Sequence, residues 1–153
     1  MNIADSDNAS EVLRIARQHK HNHAFYDDFL DKKKTKKLFC EEAMGFLHNK
    51  ERKIYVLKSK DGKVLGFISY LEPILFNKAL NKKVITVDFI AVDKRSQNKN
   101  LGAHLLASTL AMMSDFEIAE LRVASDNYPA LNFYTKFGFR IIGGDVWLSY
   151  QPR

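Results

Sequence analysis

The stretch Val87–Leu106 reads V-D-F-I-A-V-D-K-R-S-Q-N-K-N-L-G-A-H-L-L, and its character changes halfway along. Its first residues alternate with a period of two and are rich in β-branched and aromatic side chains, which predicts a strand over residues 84–92. From Gly102 onward the apolar residues recur at helical spacing, which predicts a helix to about Ser114. Residues 94–100 between them are polar and contain no acidic side chain. A strand, a basic loop and a helix N-terminus in succession are typical of an anion-binding site.

The length and composition bound the class of protein. A chain of 153 residues is expected to form one domain, residues 1–153, with a sizeable core. It contains no apolar run near the roughly 20 residues of a membrane span, and its first residues lack the features of a signal peptide. Its single cysteine, Cys40, excludes an internal disulfide and fits a reducing compartment. We therefore expect a cytoplasmic protein without a membrane partner.

The formal charge of +6 favours anionic partners. A nucleic-acid surface, a phosphorylated cofactor and a merely solvated surface are all compatible with it. Much of the excess comes from the lysines within residues 32–37. No aromatic stripe is interleaved with them, as it would be in single-strand-binding proteins, so a solvated face is the preferred interpretation and nucleic-acid binding is disfavoured.

Periodicity and turn residues predict the remaining elements. In chain order these are a short strand at residues 2–5, helices at residues 9–19 and 39–48, strands at 54–57 and 64–71 joined through Asp61-Gly62, a connection at 76–83, the strand and helix above, a strand at 121–124, a helix from about Pro129 to Gly138, and a final hairpin of strands at 139–142 and 146–150. The order predicts a mixed α/β domain with antiparallel and crossover-connected strands.

The alternating histidines His19, His21 and His23 are candidates for metal ligands. On a helix only His19 and His23 would share a face, and no Cys, Asp or Glu stands among the three. We therefore expect no metal site.

Two motifs carry a resemblance to a known family. Q-N-K-N-L-G-A, residues 97–103, resembles the acetyl-CoA signature of the GNAT N-acetyltransferase superfamily, and D-N-Y-P-A-L-N-F-Y-T-K-F-G-F, residues 126–139, resembles its second signature. The motifs stand in the family's order on the expected elements, and the resemblance covers about the whole chain. It implies a central, mixed, mostly antiparallel twisted sheet of six to seven strands flanked by about four helices. It also implies acetyl-CoA as co-substrate.

The resemblance assigns cofactor-binding residues. The loop and first helical turn would cradle the pyrophosphate, with Arg95 adding charge, and the pantetheine arm would pair with the strand before them. A backbone N–H near Ile90 or Ala91 would then stabilise the oxyanion. The implied cofactor-binding residues are Ile90, Ala91, Val92, Gln97, Asn98, Lys99, Asn100, Leu101, Gly102, Ala103, Asn127, Ala130, Tyr134 and Lys136. Because Gly102 is followed by Ala103 and His104, the GxxxxGK[ST] pattern is absent, which argues against an ATPase.

One residue departs from the family pattern. Asn100 occupies the position of the first motif glycine. That position is expected to need a left-handed or similarly restricted backbone, so that its amide faces the phosphate. Asn is among the non-glycine residues that best tolerate such a conformation, so we predict that Asn100 preserves the loop.

The resemblance also implies catalytic residues. Tyr134 takes the general-acid position and would protonate the thiolate, a transfer uphill by only about 2 kcal/mol for a thiol pKa near 8.5 and a tyrosine pKa near 10. A base, or a water chain leading to one, must take the amine proton. Asp88 and Glu72 are the two candidates, and for both a plain structural or solvent-facing carboxylate stays open.

The acceptor amine cannot be read from the sequence. In the family it is shaped by segments that correspond here to residues 19–38, residues 71–83 and the last hairpin. These are basic and aromatic, which mildly favours an anionic or aromatic-bearing acceptor, such as a sugar nucleotide amine or an acidic peptide, over polycationic aminoglycosides or polyamines. The acceptor classes considered are an amino sugar or other small amine, and a peptide amine. Family members often pair, and the last hairpin offers edge strands for a homodimer. The alternatives to an enzyme are a non-catalytic acyl-CoA-binding module and a basic nucleic-acid-binding module.

Overall fold

The computed structural model describes residues 2–3, 8–18, 27, 29–35, 37, 51–113, 115–146 and 148–150. The predicted helix at residues 39–48, the three alternating histidines and Cys40 lie outside these ranges. Within them, no helix has both the length and the apolar character needed to cross a membrane.

Strands and helices are interspersed along the described chain. The strands are β1 (Asn2–Ile3), β2 (Arg52–Lys58), β3 (Val64–Leu71), β4 (Val84–Val92) and β5 (Ile118–Leu121). The α-helices with complete bounds are α1 (Ala9–Ala16), α2 (Ile74–Leu80), α3 (Leu101–Met112) and α4 (Tyr128–Lys136), and a short 3-10 helix covers Lys94–Ser96. Residues 32–35 are also helical.

The sheet is mixed and mostly antiparallel, as predicted. Its described strands lie in the order β1-β2-β3-β4-β5. The pairs β1–β2, β2–β3 and β3–β4 are antiparallel, and β4–β5 is parallel. A parallel pair needs a crossover connection, which α3 supplies between β4 and β5.

The core lies on both faces of the sheet. On one face α1 buries Val12, Ile15 and Ala16 against side chains of β2 and β3, including Ile54 and Phe67. On the other face the buried side chains of α3 and α4 meet β2, β3 and β4; this cluster includes Leu105, Leu106, Tyr134, Tyr70 and Val87. Both faces of β4 are therefore covered, which agrees with its almost continuously apolar sequence.

A glycine allows α3 to lie close to the sheet. Gly66 of β3 pairs with Val92 of β4. A Cβ at Gly66 would lie 2.8 Å from the Ala91 carbonyl oxygen and 3.0 Å from Cδ1 of Leu105. Leu105, which is fully buried, therefore packs on the bare backbone of Gly66 in β3, next to the end of β4.

The predicted sheet of six to seven strands is not reached among the described residues. Residues 139–146 and 148–150 form no strand. Their apolar side chains are largely exposed, with Ile142 and Leu148 both at 93%. The predicted final hairpin is therefore wrong for these residues. A strand needs a neighbouring strand to complete its backbone hydrogen bonds, and alternating apolar residues with a Gly-Gly turn do not supply one.

Two further boundaries differ from the prediction. The connection after β3 contains α2, whose side chains are not buried, so no helical stripe marked it in the sequence. The strand expected at residues 121–124 is instead β5, three residues earlier, where it pairs with β4 from Val84↔Ile118 to Val87↔Leu121. Partner register, which local pattern does not encode, fixed that boundary.

We expect Gly66→Ala to destabilise the protein by about 1–3 kcal/mol, because an added methyl would overpack the contact with Ala91 and Leu105. Urea unfolding monitored by circular dichroism measures this. The matched control is Gly102→Ala, where the nearest atoms to a new Cβ lie at 3.9 Å, so the change should be neutral or stabilising. Equal stability of the two variants would contradict the close-approach explanation.

Candidate functional site

The two parallel strands separate partway along β4. Pairing with β5 covers Val84 to Val87, and β5 ends at Leu121. β4 continues to Val92, and β3 pairs with it as far as that residue. Among the described residues, no strand therefore pairs with residues 88–92 on the side turned away from β3. This open edge is where an extended ligand could add itself as a strand, and the predicted Ile90, Ala91 and Val92 all lie on it.

A β-bulge marks the point of separation. Ser69 pairs with Phe89 and Tyr70 pairs with Val87, which leaves Asp88 as the extra residue of β4. A bulge bends its strand and increases the local twist, and bending here accounts for the end of pairing with β5 after Val87. The bulge also keeps Phe89 packed on the α1 face, while Ile90 and Val92 pack on the face of α3 and α4.

Asp88 projects from the bulge toward the α1 face. Its Oδ2 lies 3.5 Å from Oγ of Ser69 and 3.4 Å from Nη1 of Arg52. Ile68 and Tyr70 belong to the opposite face, so Ser69 and the carboxylate beside it lie on the face of α1. Burial raises the pKa of Asp88, and the opposing pull of Arg52 and Ser69 is smaller. A raised pKa brings this carboxylate closer to the range in which it can accept a proton near neutrality.

The loop that follows β4 has an unusual backbone. After the 3-10 helix, Asn98 has φ 62° and Asn100 has φ 55° and ψ 17°, both in the left-handed region. The predicted left-handed backbone of Asn100 is thus confirmed, and its contact with a phosphate stays a prediction. The left-handed backbone of Asn98 was not predicted, although asparagines at both 98 and 100 indicate such a conformation.

The N-terminus of α3 faces this loop without a side-chain cap. Asn100 is the N-cap residue, and its side chain makes no capping hydrogen bond. The first N–H groups of α3, at Leu101, Gly102 and Ala103, precede the intrahelical bond from His104 N–H to the Asn100 carbonyl. They are available to an anion and are reinforced by the helix dipole.

The side chains of the loop differ in whether they already contact other protein groups. Nε2 of Gln97 lies 3.5 Å from the Val92 carbonyl oxygen, so this side chain folds back over the end of β4. Lys99 is exposed. Arg95, expected to add charge for an anion, instead donates from Nε and Nη2 to the Asp93 carboxylate at 3.2 Å. Its charge is therefore partly engaged.

Tyr134 is buried next to the open edge. It is 9% exposed, in the same cluster as Ile90 and Val92, and its ring packs on Phe133 and Phe139 at centroid distances of 5.1 and 5.7 Å. Phe133 in turn approaches Gly102, at 3.9 Å from where a Cβ would be, so α4 contacts the first turn of α3.

The acidity of Tyr134 is lower than expected. Burial, followed by the neighbouring Tyr70, raises the pKa of Tyr134 to about 12. The hydroxyl of Tyr70 is 2.6 Å from Oγ1 of Thr109, and burial raises its pKa to about 12 as well. Both tyrosines keep their protons at physiological pH.

Three other predicted residues have more ordinary surroundings. Asn127 caps α4, because its Oδ1 accepts from Ala130 N–H at 3.3 Å. That bond gives Asn127 and Ala130 a local structural role whatever else they contact. Lys136 is exposed in the last turn of α4.

Glu72 lies away from the other candidates. It is exposed just beyond β3 and lines a cavity with Lys53, Tyr55 and Asn77, at the end of the sheet opposite the loop at residues 94–100. The structure thus brings together the β4 edge, the N-terminus of α3 and Tyr134, with Asp88 on the reverse face, and leaves Glu72 outside. No cluster of three or more metal-ligating side chains occurs within the described ranges.

Comparison with known protein sequences identifies the family of this chain. Residues 10–139 match the model of the acetyltransferase (GNAT) family. Mycothiol acetyltransferase of Brachybacterium faecium is 35% identical over 66 residues, which span 42% of this chain and only 20% of that protein.

Solved structures share the fold. A possible acetyltransferase from Clostridium difficile 630 superposes with a TM-score of 0.72 at 15% identity, covering 99% of this chain and 97% of the other. AAC(6')-Iy, in complex with the bisubstrate analogue CoA-S-monomethyl-acetylneamine, superposes with a TM-score of 0.67 at 11% identity, covering 99% and 97%.

We expect Asn100→Val to destabilise the protein by about 1–2 kcal/mol, because a β-branched residue is strained at φ 55°. Asn100→Gly should be neutral or slightly stabilising. Asn132→Val, at an exposed position inside α4, is the control, since Asn and Val have similar helix propensities. Chemical unfolding of the three variants tests this; an Asn100→Val variant as stable as wild type would contradict the strain at this position.

Proposed function

The chain belongs to the acetyltransferase (GNAT) family, and from that membership we propose that it transfers the acetyl group of acetyl-CoA to a primary amine. The reaction is direct attack of the amine in a ternary complex. The observation that carries the proposal is the open edge of β4 at residues 88–92, which ends at the uncapped N-terminus of α3 with Tyr134 buried beside it.

The open edge and the helix N-terminus fit the two parts of coenzyme A. The bound co-substrate supplies an activated thioester, and the chain supplies the groups that hold it. Backbone groups of Ile90, Ala91 and Val92 would pair with the amide-containing arm, as an added strand does. An N–H of Ile90 or Ala91 would donate to the thioester carbonyl oxygen and favour the charge that develops there.

The loop fits the pyrophosphate. The N–H groups of residues 97–103 and the dipole of α3 favour a doubly charged anion, and the alternation of left-handed and ordinary backbone at Asn98 and Asn100 would turn successive N–H groups toward it. Lys99 would add charge, since it is exposed and Arg95 is engaged by Asp93. We assign Asn127, Ala130 and Lys136 to the cofactor side by position in the second motif.

Tyr134 would donate a hydrogen bond to the departing sulfur. With its pKa at about 12 and a thiol pKa near 8.5, full proton transfer is uphill by roughly 5 kcal/mol. This cost exceeds the value expected from the sequence, because burial stabilises the neutral phenol. Stabilisation of the developing thiolate by a donor that never ionises is therefore the larger part of the role we propose.

Asp88 is the better candidate for the base. Its raised pKa and its place on the β4 bulge allow it to accept the amine proton, directly or through water, from the face opposite Tyr134. Glu72 remains the second candidate.

The acceptor is proposed only as a class: an amino sugar or other small amine, or a peptide amine. We propose that residues 1–153 form a single acetyltransferase domain. We also propose that two copies of the chain can pair as a homodimer.

Thiol release from acetyl-CoA tests the activity. A panel of amino sugars, amino acids, polyamines and peptides should contain at least one amine that raises the rate above hydrolysis. With that amine, Tyr134→Phe should lower kcat tenfold or more while leaving acetyl-CoA binding by calorimetry within about twofold. Full activity of Tyr134→Phe would remove the residue from the mechanism, and a wild-type protein that does not bind acetyl-CoA would refute the proposal.

The pH–rate profile distinguishes the two bases. A base must be ionised to accept a proton, so kcat/KM should fall as the pH falls through the raised pKa of Asp88. Asp88→Asn should lower kcat/KM about tenfold or more and abolish that acidic limb. Glu72→Gln is the matched control and should retain the limb; the reverse pattern would make Glu72 the base.

A further inference from the structure

A buried carboxylate sits where β4 becomes the loop. Asp93 is 1% exposed. Its Oδ1 accepts from the Arg95 backbone N–H at 2.9 Å, and its Oδ2 accepts from Nη2 of Arg95 and from Nη1 of Arg14 on α1. The Arg95 side chain, with further help from its backbone N–H and from Arg14, holds the pKa of Asp93 well below its usual range, so the group stays ionised.

The backbone of Asp93 is also fixed on both sides. Its N–H donates to the Leu65 carbonyl at 2.8 Å, and its carbonyl accepts from Ser96 N–H at 2.7 Å. One residue further, Lys94 N–H donates to Oε1 of Gln18, just beyond the end of α1, at 2.8 Å. Two contacts from the region of α1 thus reach the first two residues after β4, across 79 and 76 positions of sequence.

We propose that Asp93, clamped by Arg14, is a positioning residue that sets the direction in which the loop at residues 94–100 leaves β4. This inference rests on the proposed function, since the loop positions N–H groups for acetyl-CoA. The loop has no buried side chain of its own in residues 94–100, so its placement depends on the anchor at its start and on α3 at its end.

The role of Arg14 differs from that of Arg95. The side chain of Arg95 is 65% exposed and belongs to the loop itself, whereas that of Arg14 is 36% exposed and belongs to α1. Among the residues that the structure describes, Arg14 alone ties the carboxylate to another element of the fold. Its Nη2 is buried without a hydrogen-bond partner among the described residues, so a lysine, which keeps the charge and lacks this atom, is a suitable conservative replacement.

The test combines kinetics with hydrogen exchange. Arg14→Gln and Asp93→Asn should raise KM for acetyl-CoA by roughly tenfold while changing kcat less than twofold, because the N–H groups shift away from the pyrophosphate and the catalytic groups do not. In the ligand-free protein, amide exchange of residues 94–103 should become faster in both variants. Arg14→Lys should have a KM for acetyl-CoA close to that of the wild type.

The controls separate this role from general stability. Arg17→Gln removes an exposed arginine just beyond the end of α1 and should leave both readouts unchanged. Unchanged KM and unchanged exchange in Arg14→Gln would overturn the proposal. A fall in kcat as large as the rise in KM, together with faster exchange across the whole sheet, would also overturn it, because it would indicate a general loss of stability. If wild type does not bind acetyl-CoA, the proposed function fails, and the exchange rates of residues 94–103 alone decide whether Asp93 positions the loop.

Discussion

The separation of β4 from β5 is the constraint on which the candidate site depends. A strand inside a sheet normally has both edges occupied, and an unoccupied edge carries unsatisfied N–H and C=O groups. Here the bulge at Asp88 bends β4 where its pairing with β5 stops. Residues 89–92, which follow the bulge, pair with β3 on one side and pack against both core clusters, so their open edge is supported by the rest of the fold.

Burial raises the pKa of one titratable group on each face of β4, with different chemical consequences. On the face of α3 and α4 it keeps the Tyr134 phenol neutral, so the residue is a permanent hydrogen-bond donor and a weak acid. On the face of α1 it raises the pKa of the Asp88 carboxyl, which makes that group a better proton acceptor. The same desolvation of charge explains both shifts. A neutral phenol and a carboxyl with a raised pKa therefore lie on opposite faces of β4.

The elements that local pattern predicted well are those whose own side chains make the core. β3, β4 and α3 followed from apolar periodicity, and the left-handed conformation of Asn100 followed from the chemistry of Asn at a glycine position. Elements without a buried face were missed or misplaced. α2 has no buried residue, β5 takes its limits from the register with Val84–Val87, and residues 139–146 and 148–150 have strand-like composition without a strand partner.

The sequence by itself determined the strand–loop–helix unit at residues 87–106, the second motif on α4 and hence the family, because these depend on neighbours in the chain. Only the tertiary structure decided what surrounds each group. The bulge at Asp88 is a property of the pairing with Ser69 and Tyr70, the acidity of Tyr134 depends on the residues that bury it, and Asp93 meets Arg14 across 79 positions. Desolvation and hydrogen bonding act through space, so residues far apart in sequence set them.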